Sequence, residues 1–244
     1  MAIERGKILD AALALLNEVG LDQFSTRRLA ERLGVQQPAL YWHFKSKSAL
    51  LDALNGVMLT RFHKDRLPSP GQLWDEFTLA NARSFRRTLL AVRDGARLNA
   101  GTHPATREFA DAERQLQLYV EAGFTPSEAF NIAIGTTRYV VGFVLEEQGE
   151  RDRDDTDEPE WGGEDPMGEV TPFPILAEAL KPLLQVGTIN TEAVFEAGLG
   201  YMLAGMRAAL LARQSGGTRK RAATPARPGR APTARTTTSR RPRQ

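Results

Sequence analysis

Apolar residues recur at helical spacing along most of this chain, and alternating strand patterns are almost absent. Ile8, Ala11, Ala12, Leu15, Leu16 and Val19 share one face, which predicts a helix over about residues 4–19, stopped by Gly20. Ser25 or Thr26 then offers a hydroxyl to the free N–H groups of a second helix. Leu29, Ala30 and Leu33 form its inner face, and Ala30 is small enough for close helix crossing. Gly34 permits a tight turn at positive φ. Pro38 suits the first turn of a third helix, where its missing N–H is no loss, and Leu40 faces inward.

The pattern continues in longer helices. They are expected over about 48–62, 73–92, 105–122, 125–148, 174–184 and 191–212. Trp74, Phe77, Phe85 and Leu89 are the inner candidates of the second of these, and Asp94-Gly95 breaks the chain after it. Thr125, Pro126 and Glu128 combine a cap, a first-turn proline and a capping-box acid. Asn99, Thr102, His103 and Pro104 are expected on a short turn. Residues 150–169 are acidic and rich in Gly and Pro, a mobile-loop composition. The fold class is therefore all-α, in three regions. Residues 1–46 are a helix-turn-helix domain, 47–212 a helical body, and 213–244 a disordered basic tail rich in Arg, Pro and Thr.

Charge separates these regions. The chain of 244 residues carries a formal +2, but ten of its 32 Lys/Arg lie in 213–244, where there is no Asp or Glu. Residues 1–212 thus hold 22 basic against 30 acidic residues, about −8. A mildly basic first 50 residues precedes this acidic body, a polarity suited to holding DNA at one end. Without cysteine the chain has no disulfide, thiolate metal site or thiol nucleophile, which suits a reducing cytoplasm. No signal-peptide layout is seen at Met1-Ala2-Ile3-Glu4-Arg5, and no apolar run is expected to span a membrane. None of His43, His63 and His103 lies in a nucleophile-elbow or metal-hydrolase motif, so no enzyme is expected.

The third helix supplies the first candidate chemistry. Gln37, Pro38, Ala39, Tyr41, Trp42 and His43 fall outside the Leu40 face. Gln bonds bidentately to adenine, and Ala or Pro touches a thymine methyl. Tyr41, His43 and Lys47 suit phosphate contacts, as do Thr26, Arg27 and Arg28 at a helix N-terminus. Adjacent exposed Tyr41 and Trp42 argue for a binding surface.

A second signal lies in the glycines. Gly135 and Gly142 are seven apart, as are Gly198 and Gly205, so each pair keeps a gap on one helix face. Phe130, Val141, Phe143, Phe195, Tyr201, Met202 and Met206 flank them. These two helices, doubled by a partner, are expected to form a four-helix interface of a homodimer.

The run from Thr26 to Lys45, continued by Ala49-Leu50-Leu51-Asp52-Ala53-Leu54, resembles the signature of the TetR family of transcriptional repressors. The resemblance extends to about Gln148 and is to the family's tetracycline-binding members. It implies a homodimer that binds a palindromic operator in double-stranded DNA. A tetracycline-type drug, carried as a magnesium chelate, would release it, and an antibiotic efflux or resistance gene would be the target.

Periodicity alone does not select the ligand residues; the resemblance does. It implies drug or metal-linked contacts for His63, Asn81, Phe85, Thr102, Pro104, Gln115 and Glu146, with Glu146 acting from the partner through a metal-bound water. Two positions depart from the family pattern. Asn99 stands where a histidine binds magnesium, and His103 where an arginine stands. An amide oxygen is a hard, neutral ligand that magnesium accepts. Two inducer classes stay open: a tetracycline with magnesium, and an unrelated polycyclic natural product without metal.

Overall fold

The structure, a computed structural model, describes residues 3–103, 106–151, 168, 170–186 and 191–222. The described residues are helical, with no strand among them. The chain divides into two compact units, Met1–Met206 and Arg207–Gln244, and the contacts below lie within the first.

Helix α1 (Arg5–Gln23) carries the expected inner face, with Ile8, Ala12, Leu15 and Leu16 buried. Gly20 interrupts it at φ 72°, a non-helical kink after which one further short helical stretch runs to Gln23. In α2 (Thr26–Leu33) the cap is Ser25, whose Oγ accepts the Arg28 N–H at 3.2 Å. Gly34 closes α2 in the left-handed region at φ 65°, ψ 29°. The short α3 (Pro38–Tyr41) has helical backbone on both sides, at Gln37 and Trp42. Leu29, Ala30, Leu40 and Phe44 meet α1 and the first turns of α4 (Lys47–Phe62) in one core. Burying a leucine stabilises by about 1.5–3 kcal/mol, so this small head is held mainly by that packing.

The body begins with α4, which packs on α1 and α5 (Trp74–Leu90). Phe77, Phe85 and Leu89 of α5 are buried as the periodicity requires. Trp74 is half-buried and sits edge-on to Phe124 at 5.0 Å. Asp94 takes a left-handed conformation, φ 57°, and Gly95 follows because a Cβ there would stand 2.2 Å from the Leu89 carbonyl oxygen. The next segment corrects the expectation of a turn: Gly95–Ala100 is a short helix, α6, which carries Asn99. Once Gly95 has made the sharp bend, Ala96, Arg97, Leu98 and Ala100 are all good helix formers.

Helices α7 (Thr106–Glu121) and α8 (Pro126–Arg151) follow. The capping box is made as the residues suggest: Glu128 accepts from the Thr125 N–H at 2.7 Å, and Thr125 Oγ1 accepts the Glu128 N–H at 3.3 Å. Packing joins α8 to α5, α6 and α7. The proposed loop at 150–169 falls largely outside the described residues. After it come α9 (Pro174–Val186) and α10 (Thr191–Ala222).

Helix α10 alters two expectations. It runs past the expected tail boundary at Arg213 to Ala222, because Leu210, Leu211, Ala212, Arg213 and Gln214 favour helix; residues 223–244 lie outside the described residues. Its segment Thr191–Arg213 is also long and apolar enough to cross a membrane by length and composition, with a mean hydropathy of 1.3. In this structure Phe195, Leu199 and Leu203 on that segment are buried against the helical body.

Candidate functional site

The DNA end is built as the turn chemistry directs. Trp42 is 89 % exposed and Tyr41 46 %, on the surface opposite buried Leu40. Gln37 Nε2 donates to Thr26 Oγ1 at 2.8 Å and approaches the Tyr41 hydroxyl at 3.4 Å, so three of the expected DNA contacts form one cluster. Pro38 and Ala39 lie on the same short helix, and His43 is half-buried just beyond it. Arg27 pairs with Glu31 at 2.9 Å, and Arg28 donates to Gln23 Oε1 at 2.9 Å. Lys47 is engaged within the chain, donating from Nζ to the Phe24 carbonyl at 2.8 Å.

In the body, α4 ends at His63, which is 9 % exposed. Its ring stacks on Phe85 with centroids 5.4 Å apart. Nδ1 lies 3.0 Å from Ser84 Oγ, and Asn81 Nδ2 approaches Nε2 at 3.4 Å. An amide N–H facing Nε2 makes that nitrogen the acceptor, which leaves the proton on Nδ1 for Ser84. Burial, with Arg66 and Arg87 adding to it, pushes the His63 pKa down to about 4, so the ring is neutral at pH 7. Asn81 Nδ2 also donates to the Asp65 carbonyl at 3.0 Å, and Gln115 Nε2 to the Arg66 carbonyl at 2.7 Å. His63, Asn81, Phe85 and Gln115 are thus gathered around the Asp65–Arg66 segment.

A second group sits on and after α6. Asn99 Nδ2 donates to Asn55 Oδ1 on α4 at 3.2 Å, and Thr102 Oγ1 donates to the Asn99 carbonyl at 3.1 Å. The His103 N–H donates to Asp52 Oδ1, also on α4, at 3.1 Å. Pro104 lies outside the described residues. Glu146 is not brought to this group within one chain. It is exposed on α8 and lines a cavity of about 180 Å³ with Phe143, Glu147, Glu150, Thr191 and Val194.

Sequence reasoning missed Ser84 and Asn55. Ser84 is three residues after Asn81 on the same face of α5, a spacing that flags it. Asn55 interrupts the apolar face of α4 and is 6 % exposed. Also missed was the bond between body and head. Asp94 Oδ2 accepts the Leu21 N–H at 2.7 Å, and Arg97 pairs with Asp22 at 2.7 Å. Helix α6 therefore touches both α4 and the end of α1.

The glycine-lined helices divide between two roles. A Cβ on Gly198 would lie 2.2 Å from the Tyr139 hydroxyl, so that glycine serves packing within the chain. Phe195 stacks on Tyr139 at 5.5 Å and meets Phe143 edge-on at 5.2 Å, also within the chain. Their assignment to a surface between subunits is corrected here. Gly135, Gly142 and Gly205 have open space, and Phe130 and Tyr201 are exposed.

Among the described residues, no three His, Cys, Asp or Glu side chains group to hold a metal ion. The candidate Asn99 would offer only one neutral amide oxygen. That donor set fits a metal carried in by a chelating ligand, which needs only one or two oxygens from the protein.

An all-helical body behind an exposed helix-turn-helix is the architecture of a DNA-binding regulator. The description "Bacterial regulatory proteins, tetR family" matches residues 8–54, and "Tetracyclin repressor-like, C-terminal domain" matches residues 67–210. The chain belongs to the TetR family of transcriptional regulators. It is 43 % identical to the class A tetracycline repressor protein of transposon 1721 from Escherichia coli, over 89 % of this chain and 97 % of the relative. Among solved structures, a TetR variant from Acinetobacter baumannii AYE in complex with minocycline is 39 % identical, with a TM-score of 0.67 over 84 % of this chain and 97 % of that one. TetR class A in complex with 5a,6-anhydrotetracycline and magnesium is 37 % identical, with a TM-score of 0.63 over 84 % and 98 %.

Proposed function

We propose that this regulator is a cytoplasmic homodimeric repressor that binds a palindromic operator and releases it when a tetracycline-type drug enters the α4–α8 body. The controlled gene is an antibiotic efflux or resistance gene. The observation that carries this reading is the His63–Asn81–Phe85–Gln115 cluster, a stacked aromatic pair rimmed by amide and imidazole groups. Such a site matches a flat polycycle with polar edges. Neutral His63 and the two amides would bond those edges, and Phe85 would pack on the rings.

In this reading residues 1–46 are the reading head, 47–212 with the extension of α10 to Ala222 the ligand and dimer domain, and the remainder a tail. The head contacts DNA through Thr26, Arg27, Arg28, Gln37, Pro38, Ala39, Tyr41, Trp42, His43 and Lys47. Lys47 and Gln37 exchange their present partners for DNA. The open glycines and exposed Phe130 and Tyr201 supply the dimer contact. Thr102, His103 and Pro104 border the ligand.

Magnesium would arrive with the drug and neutralise its chelating oxygens. Asn99 would offer its amide oxygen, and Glu146 of the partner subunit would hold a metal-bound water. Release follows by linkage: the drug shifts the dimer only by its preference for the arrangement that cannot span two half-sites about 34–36 Å apart.

A second reading is a polycyclic natural product bound without metal. It is favoured by the two departures from the family pattern, Asn99 in place of a histidine and His103 in place of an arginine. A tetracycline titration by fluorescence, with magnesium and with excess chelator, separates the two. Binding only with magnesium supports the first reading; no binding in either condition overturns it and favours the second.

A further inference from the structure

One buried side-chain polar atom has no hydrogen-bond partner among the described residues: the hydroxyl of Thr136 on α8. The residue is 6 % exposed. A hydroxyl buried without a partner is destabilising, and native structures seldom leave one so. Hydroxyls on neighbouring α5 show the usual remedy. Thr78 and Thr88 each donate to the carbonyl one turn earlier, both at 2.7 Å.

The height of Thr136 in the bundle follows from contacts at the other end of α8. Phe143 lies against Arg86, and Gln148 donates to the Leu89 and Val92 carbonyls at 3.1 and 3.0 Å. Helices α5 and α8 therefore run in the same direction. Both rise about 1.5 Å per residue, so Thr136, twelve residues before Gln148, lies level with Phe77 to Ala80, twelve residues before Leu89 and Val92. Asn81 is the next residue. Helix α7 reaches the same height, since the Tyr119 hydroxyl meets Thr78 Oγ1 at 2.8 Å and Gln115 is one turn away. Buried Thr136 thus sits at the height where Thr78 of α5 meets Tyr119 of α7, within about one turn of Asn81 and Gln115.

We infer that Thr136 Oγ1 is a further inducer-binding group, supplying a hydrogen bond to a carbonyl or hydroxyl on a polycyclic ligand. The inference rests on the reading of the α4–α8 body as the inducer site. The orphan hydroxyl is then a group held in reserve for the ligand, and it helps set which inducer is accepted. A ligand lacking an oxygen at that place would leave the hydroxyl unbonded and bind less well.

The test compares Thr136→Val and Thr136→Ser with the unaltered protein, using tetracycline with magnesium as the probe. Thermal unfolding without drug is measured first. Thr136→Val should unfold at the same or a higher temperature, because it removes a polar group that has no partner. Its tetracycline affinity should fall about 3- to 10-fold, the range for one neutral hydrogen bond, and Thr136→Ser should stay within about twofold. Unchanged affinity in Thr136→Val overturns the inference. A lowered unfolding temperature overturns it too, by showing that the hydroxyl is already bonded in the free protein. No tetracycline binding by the unaltered protein is a different result: it overturns the inducer reading beneath the inference.

Discussion

The side-chain amide of Asn99 on α6 donates to Oδ1 of Asn55 on α4, 3.2 Å away. Asn55 is buried, eight residues before His63 on the same helix, and α4 is packed on α1 of the reading head. One amide pair thus joins the helix proposed to meet the inducer to a helix packed on the reading head. Asn55→Ala should uncouple them. Inducer affinity is expected to change little, while the inducer concentration needed for operator release rises about 3- to 10-fold, within the usual range of coupling energies. Parallel drug-fluorescence and DNA-anisotropy titrations measure the two quantities, and proportional changes in both would refute the role.

His63 predicts a pH dependence of stability. Its folded pKa is depressed to about 4 against an ordinary value of 6.5, mainly by burial. Between those values the unfolded chain binds a proton that the folded one does not. The His63 contribution is therefore full above about pH 6.5 and is lost as pH falls towards 4, by about 3 kcal/mol in all. Urea unfolding at pH 7 and pH 4.5 should show a smaller loss in His63→Gln than in the unaltered protein. Equal losses would mean that the ring is protonated in place without penalty.

Gly95 is pressed against backbone, with the Leu89 carbonyl oxygen 2.2 Å from any added Cβ. Gly95→Ala should displace α6 and lower stability by about 1–3 kcal/mol, the range for overpacking a filled site. Gly34→Ala is a useful contrast. It meets no neighbouring atom but must hold φ 65°, so its loss is conformational, about 1 kcal/mol. Chemical denaturation of both variants checks the order.

At the DNA end, Gln37→Ala should relax operator specificity by about 1–3 kcal/mol at one base pair, the value of a good bidentate contact. Competition between operator and single-mismatch duplexes is the measurement. Undiminished discrimination would place the reading residues elsewhere on α3.

Glu146 separates the two inducer readings. Exposed on α8 and lining a cavity that does not include Asn99, it would reach the ligand, in the proposed dimer, from the partner subunit. Glu146→Ala should weaken tetracycline binding about tenfold with magnesium and leave weak metal-free binding unchanged, the scale seen when an outer-shell partner of a metal is removed. Equal loss in both conditions would remove its link to the metal.

Local chemistry was legible without coordinates. Ser25, Gly34 and Pro38 mark the helix-turn-helix, and the Thr125–Glu128 box marks the start of α8, because caps and turns are settled within one helical turn. The periodicity of α1 and α5 likewise located Leu16, Phe77, Phe85 and Leu89 in the core. The ligand candidates needed family resemblance, since nothing in a lone His63 or Asn81 distinguishes a binding group from a satisfied one. Contacts between distant segments were decided by tertiary structure alone. Only packing shows that Gly198 admits Tyr139 of its own chain, that Asp94 bonds Leu21, or that Thr136 is buried with an unbonded hydroxyl. Spacing along a chain reports which residues share a helix face; which face meets which, and what polar atom is stranded between them, depends on how the helices are laid together.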